Sequence, residues 1–287
     1  MQYEAPTTVD QAVALLKNSG NASKVLAGGT DLLVQLRSGM IEPELIVDIK
    51  KIPEVRSILK EDGKFRVGAV VTGAELGEHG DLKAAWPGVV EAAELIGSTQ
   101  IQGRASLGGN LCNASPAADA VPALVAAGAI CMIAGPNGRR ELPVGAICTG
   151  PGQTSLSPGE FVVSFLFPIP KPRSGDAYLR FIPRTEMDIA VVGVGIHITL
   201  DAENVCSDAR VAVGAVAPTV LLVEESAAAL VGTMVDDASI DKMIAAVRDS
   251  CDPIDDKRGT VVYRTQVAGV LAGRVCRIAL QRTRRHE

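Results

Sequence analysis

Two pairs of adjacent glycines place the strongest constraint on how this chain of 287 residues can fold. The first pair stands in "VLAGGTDLLVQLRSG", Val25 to Gly39, and the second in "ASLGGNLCNASPAAD", Ala105 to Asp119. A small polar residue directly follows each pair. Because glycine has no Cβ, such an elbow lets other groups approach the main chain closely. The sequence therefore predicts two tight turns with an accessible backbone.

These elbows can be read as anion-binding turns. Consecutive N–H groups at a turn or a helix start form a concavity that suits an anion. The candidate donors are Gly28, Gly29, Thr30 and Asp31 in the first elbow and Ser106, Gly108, Gly109 and Asn110 in the second. Two such concavities that meet in space would hold a diphosphate. A second interpretation stays open from the residues alone, in which both elbows are tight turns without a ligand.

Two common phosphate-binding motifs do not match this chain. A P-loop requires G-x-x-x-x-G-K-[ST], but in "GRASLGGN" Gly109 stands where the lysine belongs. A Rossmann fingerprint requires G-x-G-x-x-G between a strand and a helix. The stretch "GVGIHI" has Ile198 in place of the third glycine and continues as a strand-like pattern. The elbows therefore predict neither a P-loop NTPase nor a Rossmann dinucleotide fold.

Asp119 follows Asn110 by nine residues. A carboxylate beside a diphosphate is disfavoured by charge, so Asp119 is expected to accept a hydrogen bond from a sugar-like hydroxyl of the ligand. It is equally suited to begin the helix predicted in "AVPALVAAG". Both roles stay open.

Composition narrows the classes of function. The chain is 47% hydrophobic and 21% charged with a net charge of -5, which argues against nucleic acid or an anionic membrane as the partner. It has no apolar run of about 18 residues, so no transmembrane segment is expected. The start, "MQYEAPTTVDQAV", lacks the basic and apolar parts of a secretory signal. We therefore expect a cytoplasmic protein.

Cysteine and histidine usage argues against a metal site or a catalytic triad. The six cysteines are scattered and none forms a C-x-x-C pair, which is typical of a reducing compartment. The chain has only three histidines, and His197 lies in an apolar run that suits a structural role. We predict no catalytic residue and no metal ligand in this chain.

The hydrophobic pattern predicts an α+β fold. Short strands alternate with helices up to the stretch Pro168 to Ala177, which is rich in proline and charge and is the predicted domain boundary. Two long strand-like runs follow, and then three helical segments. Thr8 with Gln11 and Thr72 with Glu75 have the spacing of helix-capping boxes.

The elbows also carry a resemblance. "AGGTDLLVQLRSG" and "SLGGNLCNASPAADAVPAL" resemble the FAD-binding medium subunit of the molybdenum hydroxylases, the xanthine dehydrogenase and carbon monoxide dehydrogenase family. The resemblance extends through "LSPGEFVVSFLFPIP", "YLRFIPRTEMDIAVVGVGI" and "YRTQVAGVLAGRVCRIAL". It implies an FAD-binding domain of the vanillyl-alcohol-oxidase (PCMH) type at 1–172, with α+β subdomains at about 1–55 and 56–172. A C-terminal α+β domain of the carbon monoxide dehydrogenase flavoprotein type would occupy 173–287.

The resemblance also implies which residues bind FAD. Both elbows would hold the diphosphate, Asp119 would lie near the hydroxyls, and the strand that begins at Phe161 would lie near the adenine or the flavin. Arg180 would stand near the flavin, where many relatives have lysine. The implied cofactor-binding residues are Leu26, Ala27, Gly28, Gly29, Thr30, Asp31, Leu33, Ser106, Gly108, Gly109, Asn110, Asp119, Phe161, Val162 and Arg180.

In such a family the chain is an electron-transfer subunit. The resemblance implies a small iron–sulfur partner with two 2Fe-2S clusters and a large partner with a molybdopterin-type molybdenum cofactor, assembled as a dimer of heterotrimers. The substrate site would lie on the large partner. Two alternatives stay open: a stand-alone FAD-dependent reductase, and a non-catalytic assembly module that has lost FAD. The sequence names neither the organic substrate nor the final electron acceptor.

Overall fold

The N-terminal part of the computed structural model, which describes residues 1–284, is built on a small parallel sheet. Its elements in chain order are β1 (Gln2–Glu4), α1 (Val9–Ser19), β2 (Ser23–Leu26), α2 (Leu32–Arg37) and β3 (Leu45–Asp48). The strand order is β1–β3–β2, and both pairings are parallel. Helix α1 buries Val9, Ala12 and Leu16, which recur at the spacing of one helical face.

The middle part is built on a five-stranded antiparallel sheet with short helices. Its elements are β4 (Ile58–Glu61), β5 (Lys64–Gly68), α3 (Gly73–Glu78), α4 (Gly80–Ala85), α5 (Pro87–Glu94), α6 (Thr99–Gln102), α7 (Leu107–Cys112), α8 (Val121–Ala126), β6 (Ile130–Gly135), β7 (Gly138–Pro143), β8 (Cys148–Gly150), β9 (Gln153–Thr154) and β10 (Phe161–Pro168). The order is β4–β5–β10–β6–β7, with β8 and β9 as a separate hairpin.

Strand β10 joins the first two parts because its two faces serve different cores. Phe161 and Val163 pack into the core of the N-terminal part, whereas Val162 and Phe165 pack into the core of the middle part. This alternation follows from the two-residue period of a strand. A register shift beside Ser164 is consistent with the change of phase along the strand.

The C-terminal part is an antiparallel sheet covered by helices. Its elements are β11 (Ser174–Phe181), β12 (Val192–Leu200), β13 (Cys206–Gly214), β14 (Leu221–Leu222), α9 (Glu224–Leu230), α10 (Asp237–Asp249) and α11 (Val261–Thr283). The strand order follows the chain order. With one parallel sheet, two larger antiparallel sheets and segregated helices, the predicted α+β class is confirmed. None of the helices in residues 1–284 is long and apolar enough to cross a membrane.

The helix caps predicted from the sequence at Thr8 and Thr72 are present in the structure. Thr72 and Glu75 form the complete capping box of α3, and the Thr8 side chain caps α1 by accepting a hydrogen bond from the Gln11 N–H. Strand β11 begins at Ser174, within the stretch Pro168 to Ala177 that was predicted as the domain boundary. The β11 pairing with β12 supplies the order that the local composition does not indicate. The predicted division at residue 172 stays a prediction.

The C-terminal sheet packs its β12 backbone directly on helix α8. A Cβ added at Gly195 would lie 2.6 Å from the carbonyl oxygen of Pro122, so only glycine fits at this contact. On its other face, the sheet buries Val194, Ile196 and Ile198 in a core shared with the C-terminal helices. The middle part and the C-terminal part are therefore held together by close backbone packing.

Asp176 lies buried where the C-terminal sheet meets helix α5. Its Oδ2 accepts a hydrogen bond of 2.9 Å from the Gly88 N–H at the start of that helix, while its Oδ1 has no partner among the described residues. Burial raises the pKa of Asp176 to about 7, with a smaller lowering effect from Arg282 and a raising effect from Glu91. The folded chain therefore keeps this carboxyl protonated at a pH where an exposed aspartate is charged.

We expect the stability of the wild type, relative to Asp176→Asn, to fall by up to about 1.4 kcal/mol per pH unit as the pH rises from about 4 to about 7. In this window the unfolded chain has lost the Asp176 proton and the folded chain still holds it. The extra stability of the wild type is thus fully present below the pKa that Asp176 has in the unfolded chain. It is lost as the pH rises through the higher pKa that Asp176 has in the folded chain. Urea unfolding of both proteins across this pH range measures the difference in their free energies of unfolding. Other titrating groups, such as His197, are present in both proteins, so their contributions largely cancel. Parallel stability curves would contradict the assignment.

Candidate cofactor-binding site

The first elbow connects β2 to α2 in a conformation that requires both of its glycines. Gly29 has φ +83°, in the left-handed region that favours glycine. A Cβ at Gly28 would overlap the carbonyl oxygen of Arg104, just before the second elbow. The two elbows, 76 residues apart when counted from Gly28 to Arg104, are therefore in direct backbone contact.

The first elbow also presents unpaired backbone donors. Within residues 1–284, the N–H groups of Gly28, Gly29, Thr30 and Asp31 donate no hydrogen bond to the protein. Such consecutive donors around a left-handed residue form an anion-binding concavity. The first elbow thus has the donors that the sequence predicted.

The second elbow differs from that expectation, because its backbone donors are used inside the protein. The Gly108 N–H donates to the Ala69 carbonyl at 3.0 Å, and the Asn110 N–H donates to the Ser106 carbonyl at 3.0 Å. The Gly109 N–H donates to the Ser106 Oγ at 3.2 Å, which makes Ser106 the cap of helix α7. The prediction that the second elbow offers free N–H groups is therefore wrong for these three residues. What this elbow offers a ligand is side-chain groups and a surface without Cβ atoms.

The side chain of Asn110 is fixed by the start of helix α8. Its Oδ1 accepts a hydrogen bond of 3.0 Å from the Ala120 N–H. With its oxygen engaged, the Asn110 amide keeps two N–H donors for a further partner. This contact also ties the second elbow to the segment that carries Asp119.

A cavity of about 460 Å³ lies between the two elbows, within the usual size range of ligand pockets. Apolar side chains such as Val25, Ile41 and Ile96 form part of its wall. Eleven of the fifteen predicted residues line it: Ala27, Gly28, Gly29, Thr30, Asp31, Ser106, Gly108, Gly109, Asn110, Phe161 and Val162. Leu26, Leu33, Asp119 and Arg180 are not in the lining.

Two of those four residues are leucines that flank the first elbow. Leu26 is buried, and its Cδ1 would lie 3.0 Å from a Cβ placed at Gly29. Leu33 is half exposed on helix α2. Their predicted contact with the cofactor stays a prediction, since the structure places neither side chain in the cavity wall.

Asp119 and Arg180 form a largely buried ion pair outside the cavity wall. The Arg180 Nη1 donates to the Asp119 Oδ1 at 2.9 Å, and both side chains are largely shielded from solvent. Burial raises the pKa of Asp119 to about 6, although the Arg180 guanidinium acts in the opposite direction. The structure therefore brings these two predicted residues to each other, with Asp119 accepting from arginine.

Sequence reasoning missed several residues of the cavity. Lys24 brings a cation to the wall from β2, four residues before Gly28. The Gln35 Nε2 donates to the Asn113 Oδ1 at 3.3 Å and so connects helix α2 to the end of α7. A search for cations next to the elbows could have found Lys24, whereas no local signal pairs Gln35 with Asn113.

Two known family models together match most of the chain. The family described as "FAD binding domain in molybdopterin dehydrogenase" matches residues 1–170, and "CO dehydrogenase flavoprotein C-terminal domain" matches residues 177–279. The chain belongs to this family. It is an FAD-binding oxidoreductase subunit, as the resemblance implied.

Individual relatives agree with the family. The carbon monoxide dehydrogenase medium chain of Hydrogenophaga pseudoflava is 32% identical over 281 residues, which cover 98% of this chain and 97% of the relative. The putative xanthine dehydrogenase FAD-binding subunit of Escherichia coli (strain K12) is 38% identical over 219 residues, which cover 76% of this chain and 74% of the relative. A cyanide-inactivated Cu,Mo-CO dehydrogenase structure superimposes with a TM-score of 0.94 at 31% identity, over 98% of both chains.

The cavity fits FAD by its own chemistry. A diphosphate suits the unpaired N–H groups of the first elbow, and the apolar wall suits the ring systems at the ends of the cofactor. A Cβ at Gly109 would meet only the Ser106 Oγ at 3.3 Å and the Ala27 Cβ at 3.8 Å, and the residue lines the cavity. The backbone at Gly109 is therefore open to a ligand, which distinguishes it from Gly28.

We expect Gly109→Val to lower the affinity for FAD by about tenfold or more while the protein stays folded. The valine side chain would enter the cavity and hinder the approach of the diphosphate. Losing one hydrogen bond between the protein and a charged group reduces affinity by about this factor. The flavin absorbance per protein after purification measures the effect. Gly103→Val is the matched control, because a Cβ at Gly103 meets no atom within 4 Å. Full FAD content in Gly109→Val would remove Gly109 from the site.

We expect Arg180→Met to lower the free energy of unfolding by up to about 3 kcal/mol near neutral pH, because the buried Asp119 would lose its partner and would have to take up a proton instead. The loss should be smallest below a pH of about 6, where Asp119 is protonated in the wild type as well, and it should grow as the pH rises above that value. The double variant Asp119→Asn/Arg180→Met should recover part of it. Urea unfolding at two pH values tests this, and an equal loss in the single and double variants would contradict it.

Proposed function

We propose that this chain is the FAD-binding electron-transfer subunit of a heterotrimeric molybdenum hydroxylase. In this role it accepts electrons from the 2Fe-2S clusters of a small partner and delivers them to an external acceptor. A large partner carries the molybdopterin-type cofactor and the substrate site. Six unpaired cysteines fit a cytoplasmic location. A dimer of heterotrimers is the proposed assembly, and the domain division at residues 172 and 173 belongs to the same proposal.

One observation carries this proposal: the cavity between the two elbows, with four N–H groups at one side that have no partner in residues 1–284. When bound, FAD supplies redox chemistry that can exchange electrons singly or in pairs. The chain's own residues bind and orient it. The first elbow faces the diphosphate, Asn110 keeps free amide donors, and the apolar wall excludes water from the rings.

Similarity to named relatives supports the partner assignment. The relatives are called a medium chain in carbon monoxide dehydrogenase and an FAD-binding subunit in xanthine dehydrogenase. One solved relative is titled as a carbon monoxide dehydrogenase that lacks the Mo-pyranopterin moiety of its molybdenum cofactor. Such names support the proposal that this chain is one subunit of a molybdenum-containing enzyme.

The deciding experiment is an affinity purification of this chain from its native cell, followed by an absorption spectrum, metal analysis and subunit masses. We expect flavin and iron–sulfur absorbance together with two further chains, one small and one large with molybdenum. The mass of the intact complex tests the dimer of heterotrimers. A chain that purifies alone, holds FAD and is reduced by NADH or NADPH would favour a stand-alone reductase. A chain without flavin would favour an assembly module.

A further inference from the structure

A charged pair lies next to the first elbow and contacts its main chain. Lys50 follows strand β3, and its Nζ donates a hydrogen bond of 3.0 Å to the carbonyl oxygen of Ala27. The same Nζ lies 2.8 Å from the Oδ1 of Asp48. Neither Lys50 nor Asp48 belongs to the cavity wall or to the sites assigned above.

Asp48 anchors Lys50 from within the protein. It is buried, and its Oδ2 accepts a hydrogen bond of 2.6 Å from the Tyr3 hydroxyl while its Oδ1 accepts one of 3.0 Å from the Lys50 N–H. Burial acts to raise the pKa of Asp48, but the hydrogen bonds from Lys50 and Tyr3 outweigh it and hold that pKa below its usual range. Asp48 therefore stays charged at neutral pH and fixes the position of the Lys50 ammonium.

The bond from Lys50 to Ala27 also orients the next residue. The carbonyl of Ala27 and the N–H of Gly28 belong to one planar trans peptide group, in which they point in opposite directions. Holding the Ala27 oxygen towards Lys50 therefore turns the Gly28 N–H the other way. That N–H is the first of the four donors that have no partner among the described residues.

We propose that Lys50 is a positioning residue for the diphosphate of FAD, acting through the Ala27 carbonyl to aim the backbone donors of the first elbow into the cavity. The inference rests on the proposed binding of FAD between the elbows and adds a residue that does not touch the cofactor. Asp48 and Tyr3 keep Lys50 in place.

A direct charge effect would leave a different signature. Lys50 and Asp48 form a pair with no net charge, so their summed field at the cavity is weak. If Lys50 acted through its charge, neutralising Asp48 would strengthen FAD binding. If Lys50 acts through position, Asp48→Asn weakens its anchor, because a neutral amide oxygen holds the ammonium less strongly than a carboxylate, and so weakens FAD binding. The sign of the Asp48→Asn effect thus separates the two mechanisms.

The test uses the full chain, stripped of flavin and titrated with FAD or with riboflavin, which lacks the diphosphate. We expect Lys50→Met to raise the Kd for FAD by about 10- to 100-fold, the size expected for one hydrogen bond from a charged donor, and to leave riboflavin affinity unchanged. Lys50→Arg should restore most of the FAD affinity, because arginine can donate to the same carbonyl. Lys51→Met is the matched control, since Lys51 is the exposed neighbour in the same turn and its side chain makes no hydrogen bond among the described residues.

Each outcome decides the inference. Weaker FAD binding in Lys50→Met and in Asp48→Asn, with rescue by Lys50→Arg, supports it. Unchanged FAD affinity in Lys50→Met, tighter binding in Asp48→Asn, or an equal loss for FAD and riboflavin overturns it. A wild-type chain that binds no FAD would instead overturn the proposed function, so the two failures are distinguishable. Thermal unfolding of each apoprotein shows whether the variants are folded.

Discussion

The backbone contact between Gly28 and Arg104 is the constraint on which the cofactor cavity depends. Any side chain at residue 28 would overlap the Arg104 carbonyl and push the two elbows apart. The N-terminal part and the middle part meet at this point, and the cavity lies between them. A similar contact lies within the middle part, where a Cβ at Gly108 would lie 2.6 Å from the Ala69 carbonyl oxygen. The opening is thus defined by main-chain packing, which varies little with side-chain motion.

Each glycine pair divides its work between packing and access. Gly28 and Gly108 are required because another backbone segment occupies the space of their Cβ. Gly29 supplies a left-handed turn, and Gly109 leaves the cavity side of helix α7 bare. This division explains why each elbow contains two adjacent glycines. The first glycine of each pair allows close backbone packing, and the second shapes or exposes the side that faces the cavity.

The sequence predicts the features that depend on near neighbours. The capping box at Thr72, the α+β class and the first elbow follow from patterns within a few residues, and the family resemblance extends them to the whole chain. The sequence fails where a partner lies far away in the chain. The Ala69 carbonyl accepts the hydrogen bond of the Gly108 N–H, and Arg180 forms an ion pair with Asp119. Strand β11 begins in a proline-rich stretch and pairs with β12. Only the folded chain shows such pairings, because no local pattern identifies the partner.

A chain with a net charge of -5 needs a local means of binding an anionic diphosphate. Exposed charges more than about 8 Å away are largely screened at physiological salt, so the overall charge has little influence inside the cavity. The nearby charged pairs, Lys50 with Asp48 and Arg180 with Asp119, are each balanced and add little net field. Attraction is then left mainly to the backbone dipoles of the first elbow, which have no partner among the described residues, because Lys24 in the wall is offset by Asp31. Dipoles attract an anion only when they are correctly aimed. A partly buried pair that fixes one peptide plane would therefore have more influence on binding than another exposed positive charge.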